Sequence, residues 1–220
     1  MIKIDTVSEN NLLAYLNKQQ INGRLEKIGE TSLFSPKDQE GIKFSAAGNT
    51  LQFQSKYPFG KKHKDIFTSQ GDDIEMNKFK TLSSPVNSTF DEHFVFYDET
   101  APALYFTSQG HNSAGGYDIF RSYYDKPTNK WSKPENLGFP INTPFDEVAY
   151  VTVPGTQKSI LVSRRNSGPG KLVVYFLDNA DANAEETTLT PQAREIGHFT
   201  FGGNKNFTAF SKTKTTEKEK

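Results

Sequence analysis

The chain has 220 residues, and 26 Lys and Arg residues balance 26 Asp and Glu residues, so the formal net charge at pH 7 is zero. This balance disfavours a nucleic-acid-binding protein, which normally carries a basic excess. No cysteine is present, which excludes disulfides, thiolate metal sites and a cysteine nucleophile. The 18 Phe and 9 Tyr residues predict an aromatic core, and 16 Gly with 11 Pro suit many short strands.

The beginning of the chain does not have the composition of a signal peptide. Asp5, Glu9 and Asn10 fall where the apolar region of such a peptide would lie. No apolar run approaches the length of a membrane span, so we expect a chain that does not cross a membrane. Either the protein is cytoplasmic, or this chain is a mature or truncated piece of something longer.

Residues 10–30 allow two predictions. Leu12–Leu16 and Gly23–Gly29 look like the second half of a repeat unit, because Ile28-Gly29 matches Leu137-Gly138. Alternatively, Asn10–Gln20 forms a short helix, which its leucines and its Gln and Lys content permit.

A repeat of strand-like sequence occupies the middle of the chain. Leu51–Ser55 recurs 53 residues later as Leu104–Ser108, and Asp65–Phe67 recurs at the same offset as Asp118–Phe120. A period near 50 made of strands indicates an array of small sheets, because one unit alone cannot bury its apolar face.

An Asp-Glu step marks the start of successive units. It occurs at Asp91-Glu92 and again, 55 residues on, at Asp146-Glu147. We place the repeats at approximately 38–90, 91–145 and 146–195. Residues 196–210 read as a hairpin, and we predict that they share a fourth sheet with residues 10–30, because closure removes exposed sheet edges. Residues 211–220 are predicted to be a disordered tail.

The predicted fold is all-β, with a single domain over residues 1–210. We expect a β-propeller or a propeller segment of about four small antiparallel sheets, three of them full repeats and one shared between the termini. An incomplete segment of a larger propeller is the competing interpretation.

The second unit resembles a WD-like β-propeller repeat. The matching residues are Leu104-Tyr-Phe-Thr-Ser108, Gly116-Tyr-Asp-Ile-Phe120, Trp131-Ser-x-Pro134, Asn136-Leu-Gly138 and Phe145-Asp-Glu147. This repeat is found in TolB-like proteins and in cell-envelope proteins of Bacteroidetes-type bacteria, often beside an OmpA-like peptidoglycan-binding domain or within type IX secretion components. The resemblance implies the propeller fold and a periplasmic or outer-membrane-associated location. It implies no catalytic residue.

The repeated acidic residues are candidates for catalysis or for structure. Paired carboxylates can perform glycoside hydrolysis, but an acid and a base need two different environments, whereas these residues recur at equivalent places. We therefore expect structural roles, such as accepting backbone N–H bonds at strand starts. The repeat-motif residues in question are Asp65, Asp91, Glu92, Asp118, Asp146 and Glu147.

Two further patterns are expected to be structural. Trp131 is predicted to pack between sheets, the alternative being an aromatic surface for a sugar or peptide with Tyr57, Tyr123, Tyr124 and Phe139. The glycines of the loop Gly110–Gly116 are expected to permit positive φ between two strands.

No metal or cofactor is predicted. The four histidines lack ligand spacing, and a site shared by His63 and His111 is the alternative. The acidic run Asp72–Glu75 lacks the alternation of a calcium loop.

Candidate binding residues lie in three loops, Tyr57–Lys64, Gln109–Gly116 and Arg164–Gly170. If these loops cluster, their exposed charges form one basic rim that suits an acidic partner protein or an anionic glycan; solvated loop charge is the alternative. The candidates are Lys61, Lys62, His63, Lys64, His111, Asn112, Arg164 and Arg165.

The sequence favours a non-catalytic protein- or glycan-binding scaffold of the bacterial cell envelope. Its expected partner is another envelope protein or a glycan, and not a nucleic acid. The alternatives are a propeller-type glycoside hydrolase and a fragment of a larger propeller protein.

Overall fold

The computed structural model describes residues 3–29, 41–82 and 84–178, and the backbone of 198–199 and 207–208. The protein is mostly β, and its strands form several antiparallel sheets. The strands are β1 (Lys3–Ser8), β2 (Gly23–Ile28), β3 (Gly41–Ala46), β4 (Leu51–Lys56), β5 (Asp65–Gln70), β6 (Lys80–Thr81), β7 (Glu92–Asp98), β8 (Ala103–Ser108), β9 (Asp118–Asp125), β10 (Lys130–Trp131), β11 (Glu135–Asn136), β12 (Glu147–Val153), β13 (Lys158–Ser163), β14 (Lys171–Asp178), β15 (His198–Phe199) and β16 (Phe207–Thr208). The helices are α1 (Leu12–Asn17) and α2 (Asp72–Glu75), with 3₁₀ turns at Glu9–Asn11 and Ala47–Asn49.

Three antiparallel sheets follow one another along the chain. The first has the order β2-β3-β4-β5-β6, the second β10-β9-β8-β7 with β11 also paired to β9, and the third β1-β14-β13-β12. They lie within the predicted repeats 38–90, 91–145 and 146–195, except that β1 and β2 come from the beginning of the chain. Phe53 and Phe106 occupy equivalent strands, β4 and β8, and both are buried.

The predicted sheet between residues 10–30 and 196–210 needs correction. Strand β2 pairs with β3 along its whole length, from Gly23 opposite Ala46 to Ile28 opposite Gly41, and so belongs to the first sheet. The helical alternative describes part of this segment, since α1 follows a 3₁₀ turn there. Strands β15 and β16 pair with each other. The rest of 196–210 and the predicted tail 211–220 lie outside the described residues.

The N-terminal strand completes the third sheet. Strand β1 pairs antiparallel with β14, from Lys3 opposite Phe176 to Ser8 opposite Lys171. Its position beside β14 is equivalent to that of β6 beside β5 in the first sheet and of β10 beside β9 in the second. The edge of β14 is thereby covered by chain from the far end of the sequence.

Successive sheets pack against each other through one strand. Strand β7 contacts β3, β4 and β5 of the first sheet, and β12 contacts β7, β8 and β9 of the second. Aromatic rings fill the first of these interfaces: the Phe44 and Phe96 centroids are 5.0 Å apart, and those of Phe53 and Tyr97 are 5.3 Å apart. Such pairs bury large apolar areas, which is how a chain with few aliphatic residues builds a core.

Helix α1 links the third sheet to the first. Leu12 and Leu16 are buried in the common core, and the side-chain amide of Asn17 bonds both the N–H and the C=O of Leu25 in β2 at 2.8 Å. The hydroxyl of Tyr15 donates to Asp5 of β1 at 2.8 Å. The short helix is therefore anchored to both sheets that it joins. No helix among the described residues has the length and apolar character that crossing a membrane requires.

Candidate functional site

Three equivalent connections lie at one end of the three sheets, which we call the loop end. They are residues 57–64 between β4 and β5, 109–117 between β8 and β9, and 164–170 between β13 and β14. Backbone bonds join them across sheets: Glu92 N–H donates to Lys64 C=O at 3.1 Å, and Glu147 N–H donates to Tyr117 C=O at 2.8 Å. The 57–64 loop is thus fastened to the start of β7, and the 109–117 loop to the start of β12.

The aspartates of the Asp-Glu steps join neighbouring sheets. Asp91 Oδ1 accepts the N–H of Lys64 at 2.7 Å, and Asp146 Oδ1 accepts the N–H of Tyr117 at 3.0 Å. Their second oxygens are also used, because Asp91 Oδ2 accepts the hydroxyl of Tyr117 at 3.1 Å and Asp146 Oδ2 lies 3.7 Å from Arg164 Nε. All four oxygens are thus occupied within the fold.

The glutamates of these steps lie fully buried at the start of β7 and β12. Glu92 accepts hydrogen bonds from the N–H of Ser88 at 3.2 Å, from its hydroxyl at 2.6 Å and from the hydroxyl of Ser108 at 2.8 Å. Glu147 makes the same three contacts, with Thr143 N–H at 3.2 Å, Thr143 hydroxyl at 2.8 Å and Ser163 hydroxyl at 3.2 Å. Each glutamate therefore fixes the loop before its strand to the end of the next strand.

The basic side chain next to the carboxylate differs between these two sites. Arg165 Nη2 lies 3.3 Å from Glu147, whereas the ring of His111 lies 3.8 Å from Glu92. Burial raises the pKa of Glu92 to about 7, against the effect of its hydrogen bonds. Burial also raises the pKa of Glu147, while Arg165 opposes that rise.

A side-chain amide holds β5 in the first sheet and the equivalent strand β9 in the second. Asn87 accepts the N–H of Ile66 at 2.8 Å and donates to its C=O at 3.0 Å. Asn142 makes the same pair of bonds with Ile119, both at 2.8 Å. No role was predicted for these asparagines, although both lie in the Pro-x-Asn segment that recurs ahead of each Asp-Glu step.

The aspartates that open β5 and β9 are also buried. Asp65 is bound by Lys61 Nζ at 2.9 Å, and Asp118 by the N–H of Ala114 at 2.8 Å and by Asn136 at 2.9 Å. One oxygen of each, Oδ1, is buried without a hydrogen-bond partner among the described residues. Because both aspartates are enclosed, neither is in a position to meet a ligand at the surface.

The glycines of the loop in the second unit allow the backbone to lie close to the third unit, and they do not have positive φ angles. A Cβ at Gly116 would lie 1.8 Å from Asp146 Oδ1, and one at Gly115 would lie 2.6 Å from Pro144 C=O. The positive φ angles of this loop belong to His111 and Asn112. The expectation that the glycines supply positive φ is therefore wrong, and their missing side chains let the loop reach the next sheet.

The candidate binding residues divide between surface and interior. Lys61, Lys62, Asn112 and Arg164 are exposed, and His63 is partly so. Lys64 is buried beside the ring of Tyr57, at 5.2 Å from its centroid.

Arg165 is likewise buried, and its guanidinium donates to the C=O groups of Pro140 and Ile141. His111 bonds Val86 C=O at 2.8 Å. The expected basic rim thus loses Lys64 and Arg165, which serve the fold.

The charge of the loop end is further reduced by pairing. Arg164 forms ion pairs with Glu9 and Asp146, and Lys61 pairs with Asp65. Exposed aromatic side chains are the more distinctive feature of this end. Phe90 is 55% exposed and Phe145, its equivalent 55 residues on, is 56% exposed. Phe59, in the 57–64 loop, is fully exposed.

A neutral histidine lies beneath this surface. Burial and the nearby Lys64 hold the pKa of His93 at about 4, so its ring is uncharged at neutral pH. Its centroid is 5.6 Å from that of Tyr117, and burial together with Asp91 raises the pKa of the Tyr117 hydroxyl. The hydroxyl of Tyr117 donates to Asp91, so both polar groups are paired within the protein. Within the described ranges, no group of three or more His, Asp and Glu residues is arranged to hold a metal ion.

Trp131 packs between the first and second sheets, where it was expected. Its ring is 6.0 Å from that of Phe53 and 5.0 Å from that of Tyr124, centroid to centroid. It is half-buried and lies at the end of the sheets opposite the loop end.

Comparison of the chain with family models, curated proteins and solved structures finds no match.

Proposed function

We propose that this chain is a propeller-like binding module, without catalytic activity, whose loop end carries the ligand surface. Three features support the propeller-like arrangement. The sheets recur along the chain at a spacing of just over fifty residues, and β7 of the second sheet and β12 of the third each lie over the preceding sheet. The N-terminal strand β1 joins the third sheet, and the chain leads from it through α1 to the first. The pairing of β1 with β14 covers one edge of the third sheet, as strand exchange between chain ends does in a propeller.

One observation carries the binding role: the carboxylates of the loop end are engaged within the fold, while its outermost side chains are aromatic. The carboxylates of Asp91, Glu92, Asp146 and Glu147 are engaged internally. Phe59, Phe90 and Phe145 remain exposed above them. Exposed aromatic residues are enriched where proteins bind partners.

The partner that suits this surface is an envelope protein with an apolar patch next to acidic residues. The phenylalanines supply the apolar contact, and Lys61 and Lys62 stand beside Phe59 in the same loop. The envelope location and the protein partner follow from the WD-like resemblance. An anionic glycan is the second ligand that Lys61 and Lys62 could meet.

The test is affinity capture from solubilised envelope fractions, followed by mass spectrometry. The double variant Phe90→Ser/Phe145→Ser should lose the captured protein, because both apolar contacts are removed at equivalent positions. Met76→Ser is the matched control, since Met76 is also 55% exposed but lies in the connection between β5 and β6. Equal capture by the wild type and the double variant would refute the surface.

A glycan panel tests the non-catalytic part of the proposal. The full chain should release no sugar from any panel member. Release that disappears in Asp146→Asn at unchanged thermal stability would establish a glycoside hydrolase instead.

A further inference from the structure

A cleft lies between the first and second sheets, at the end opposite the loop end. Thr50 and Gln70 border it from the first sheet, and Glu99, Lys126 and Asn129 border it from turns of the second. Its volume is about 410 Å³, which falls within the range of small-molecule sites in proteins. The cleft shares no residue with the loop end, so it is a separate feature of the molecule.

Aromatic rings form the floor of this cleft. Trp131 meets Phe53 and Tyr97 edge to face, with centroids 6.0 and 6.1 Å apart, and Tyr124 at 5.0 Å. Contacts on several sides hold the indole in one orientation. Because Trp131 is half-buried, part of its ring remains open to the cleft as a fixed flat apolar surface.

Two polar groups at the floor have no protein partner among the described residues. Tyr97 is 5% exposed and lines the cleft, yet its hydroxyl makes no hydrogen bond there. This hydroxyl is also not one of the fully enclosed unpaired atoms, so it borders open space. The indole N–H of Trp131 is likewise unpaired within that part of the chain. A largely buried hydroxyl at a cavity wall is a natural site for a ligand hydrogen bond.

The charges around the cleft indicate the ligand class. Asp73 and Glu99 balance Lys80 and Lys126, so the rim is neutral overall. Asp73 pairs with Lys80 at 2.8 Å, and Glu99 accepts a bond from Asn22 at 3.0 Å. A neutral rim disfavours phosphates and other anions, while the hydroxyl, indole N–H and amide groups disfavour a purely apolar ligand.

We propose that this inter-sheet cleft binds a neutral saccharide. The sugar ring lies on the open part of Trp131, and its hydroxyl groups hydrogen-bond to Tyr97 and to the indole N–H. A pyranose combines a flat apolar face with peripheral hydroxyls, which matches the arrangement of ring and polar groups in the cleft. The site is independent of the loop-end surface and of its partner.

The single tryptophan of the chain makes this proposal directly testable, because all indole fluorescence comes from the cleft. We expect titration of the full chain with maltose, cellobiose and N-acetylglucosamine dimers to give a saturable change in Trp131 emission for at least one of them. Tyr97→Phe should weaken that binding about three- to tenfold, because one hydrogen bond is lost while the ring is retained.

The controls separate binding from general destabilisation. Tyr123→Phe removes a hydroxyl from an exposed tyrosine of β9 outside the cleft and should bind as the wild type does. Thermal melting of Tyr97→Phe should match the wild type. Absence of saturation with all neutral saccharides up to about 10 mM, equal affinity in Tyr97→Phe, or tighter binding of an acidic sugar would each overturn the proposal.

Discussion

Glu92 and Glu147 occupy equivalent sites in successive sheets, yet their charged surroundings differ. Both accept three hydrogen bonds from a Ser or Thr four residues before them and a Ser sixteen residues after them. Arg165 stands beside Glu147, whereas His111 stands beside Glu92. The three hydrogen bonds recur in both repeat units, whereas the basic side chain beside the carboxylate differs between them.

The difference has an electrostatic consequence. Arginine keeps its charge in proteins, so Glu147 always has a cationic neighbour. Histidine near neutral pH offers no such permanent charge, and Asp65 adds a negative charge near Glu92. Burial raises the pKa of both glutamates, but only at Glu147 does a neighbouring arginine oppose the rise.

The largest expected effect is that of removing the arginine. Arg165→Met leaves Glu147 buried without its cation and leaves the C=O groups of Pro140 and Ile141 without their donor. We expect the free energy of unfolding to fall by about 3–5 kcal/mol, measured by denaturant titration. His111→Leu should lower it by about 1 kcal/mol, since a hydrogen bond to Val86 is the main loss.

A second variant distinguishes charge from packing at this site. Arg165→Met/Glu147→Gln should recover part of the lost stability, because the unpaired charge is gone. If Arg165→Met and His111→Leu lowered the free energy of unfolding equally, the charge of Arg165 would not be what stabilises the Glu147 site.

The next effect is a pH dependence carried by Glu92. Its pKa is raised from 4.5 to about 7 in the folded protein, so the folded state keeps a proton that the unfolded state has released. Stability therefore falls as pH rises between these values, and the contribution of this group changes by about 2.5 kcal/mol between pH 5 and pH 8.

Glu92→Gln is the variant that tests this assignment. Denaturant unfolding at several pH values should show a flatter profile than the wild type, because glutamine does not titrate. An unchanged slope in this variant would assign the pH dependence to another group.

Removing one of the two asparagines should have a smaller effect than removing Arg165 or the proton of Glu92. Asn142→Ala leaves the N–H and C=O of Ile119 without their partner, and Asn87→Ala does the same to Ile66. Each should lower the free energy of unfolding by about 2 kcal/mol. Unequal losses in the two variants, compared by denaturant titration, would show that the two sheets depend on this contact differently.

Much of the fold could be predicted because its strands repeat. The match of Leu51–Ser55 to Leu104–Ser108 places β4 and β8 at equivalent positions, and the prediction of small antiparallel sheets is confirmed. The Asp-Glu steps likewise predict where β7 and β12 begin. The alternation of residues along each strand and the regular spacing of the repeated motifs were sufficient to predict these strands.

The pairing of the first two strands could not be obtained in this way. Strands β1 and β2 come before the repeated segments, and each pairs with a strand that the repeat does not identify as its partner. The burial of Lys64 and Arg165 was also missed, because a charged residue in a loop reads as solvated until its carbonyl, carboxylate or ring partners are known. The paired asparagines were visible in the sequence, but their target strands were not.

The pairing of β1 with β14 has a consequence for biosynthesis. Lys3 leaves the ribosome long before Phe176, its partner in the ladder. The first two sheets can form while the chain is still being made, but β1 has no partner until β14 has been synthesised. Slow joining of such distant ends raises the risk that β14 captures a strand from a neighbouring nascent chain instead.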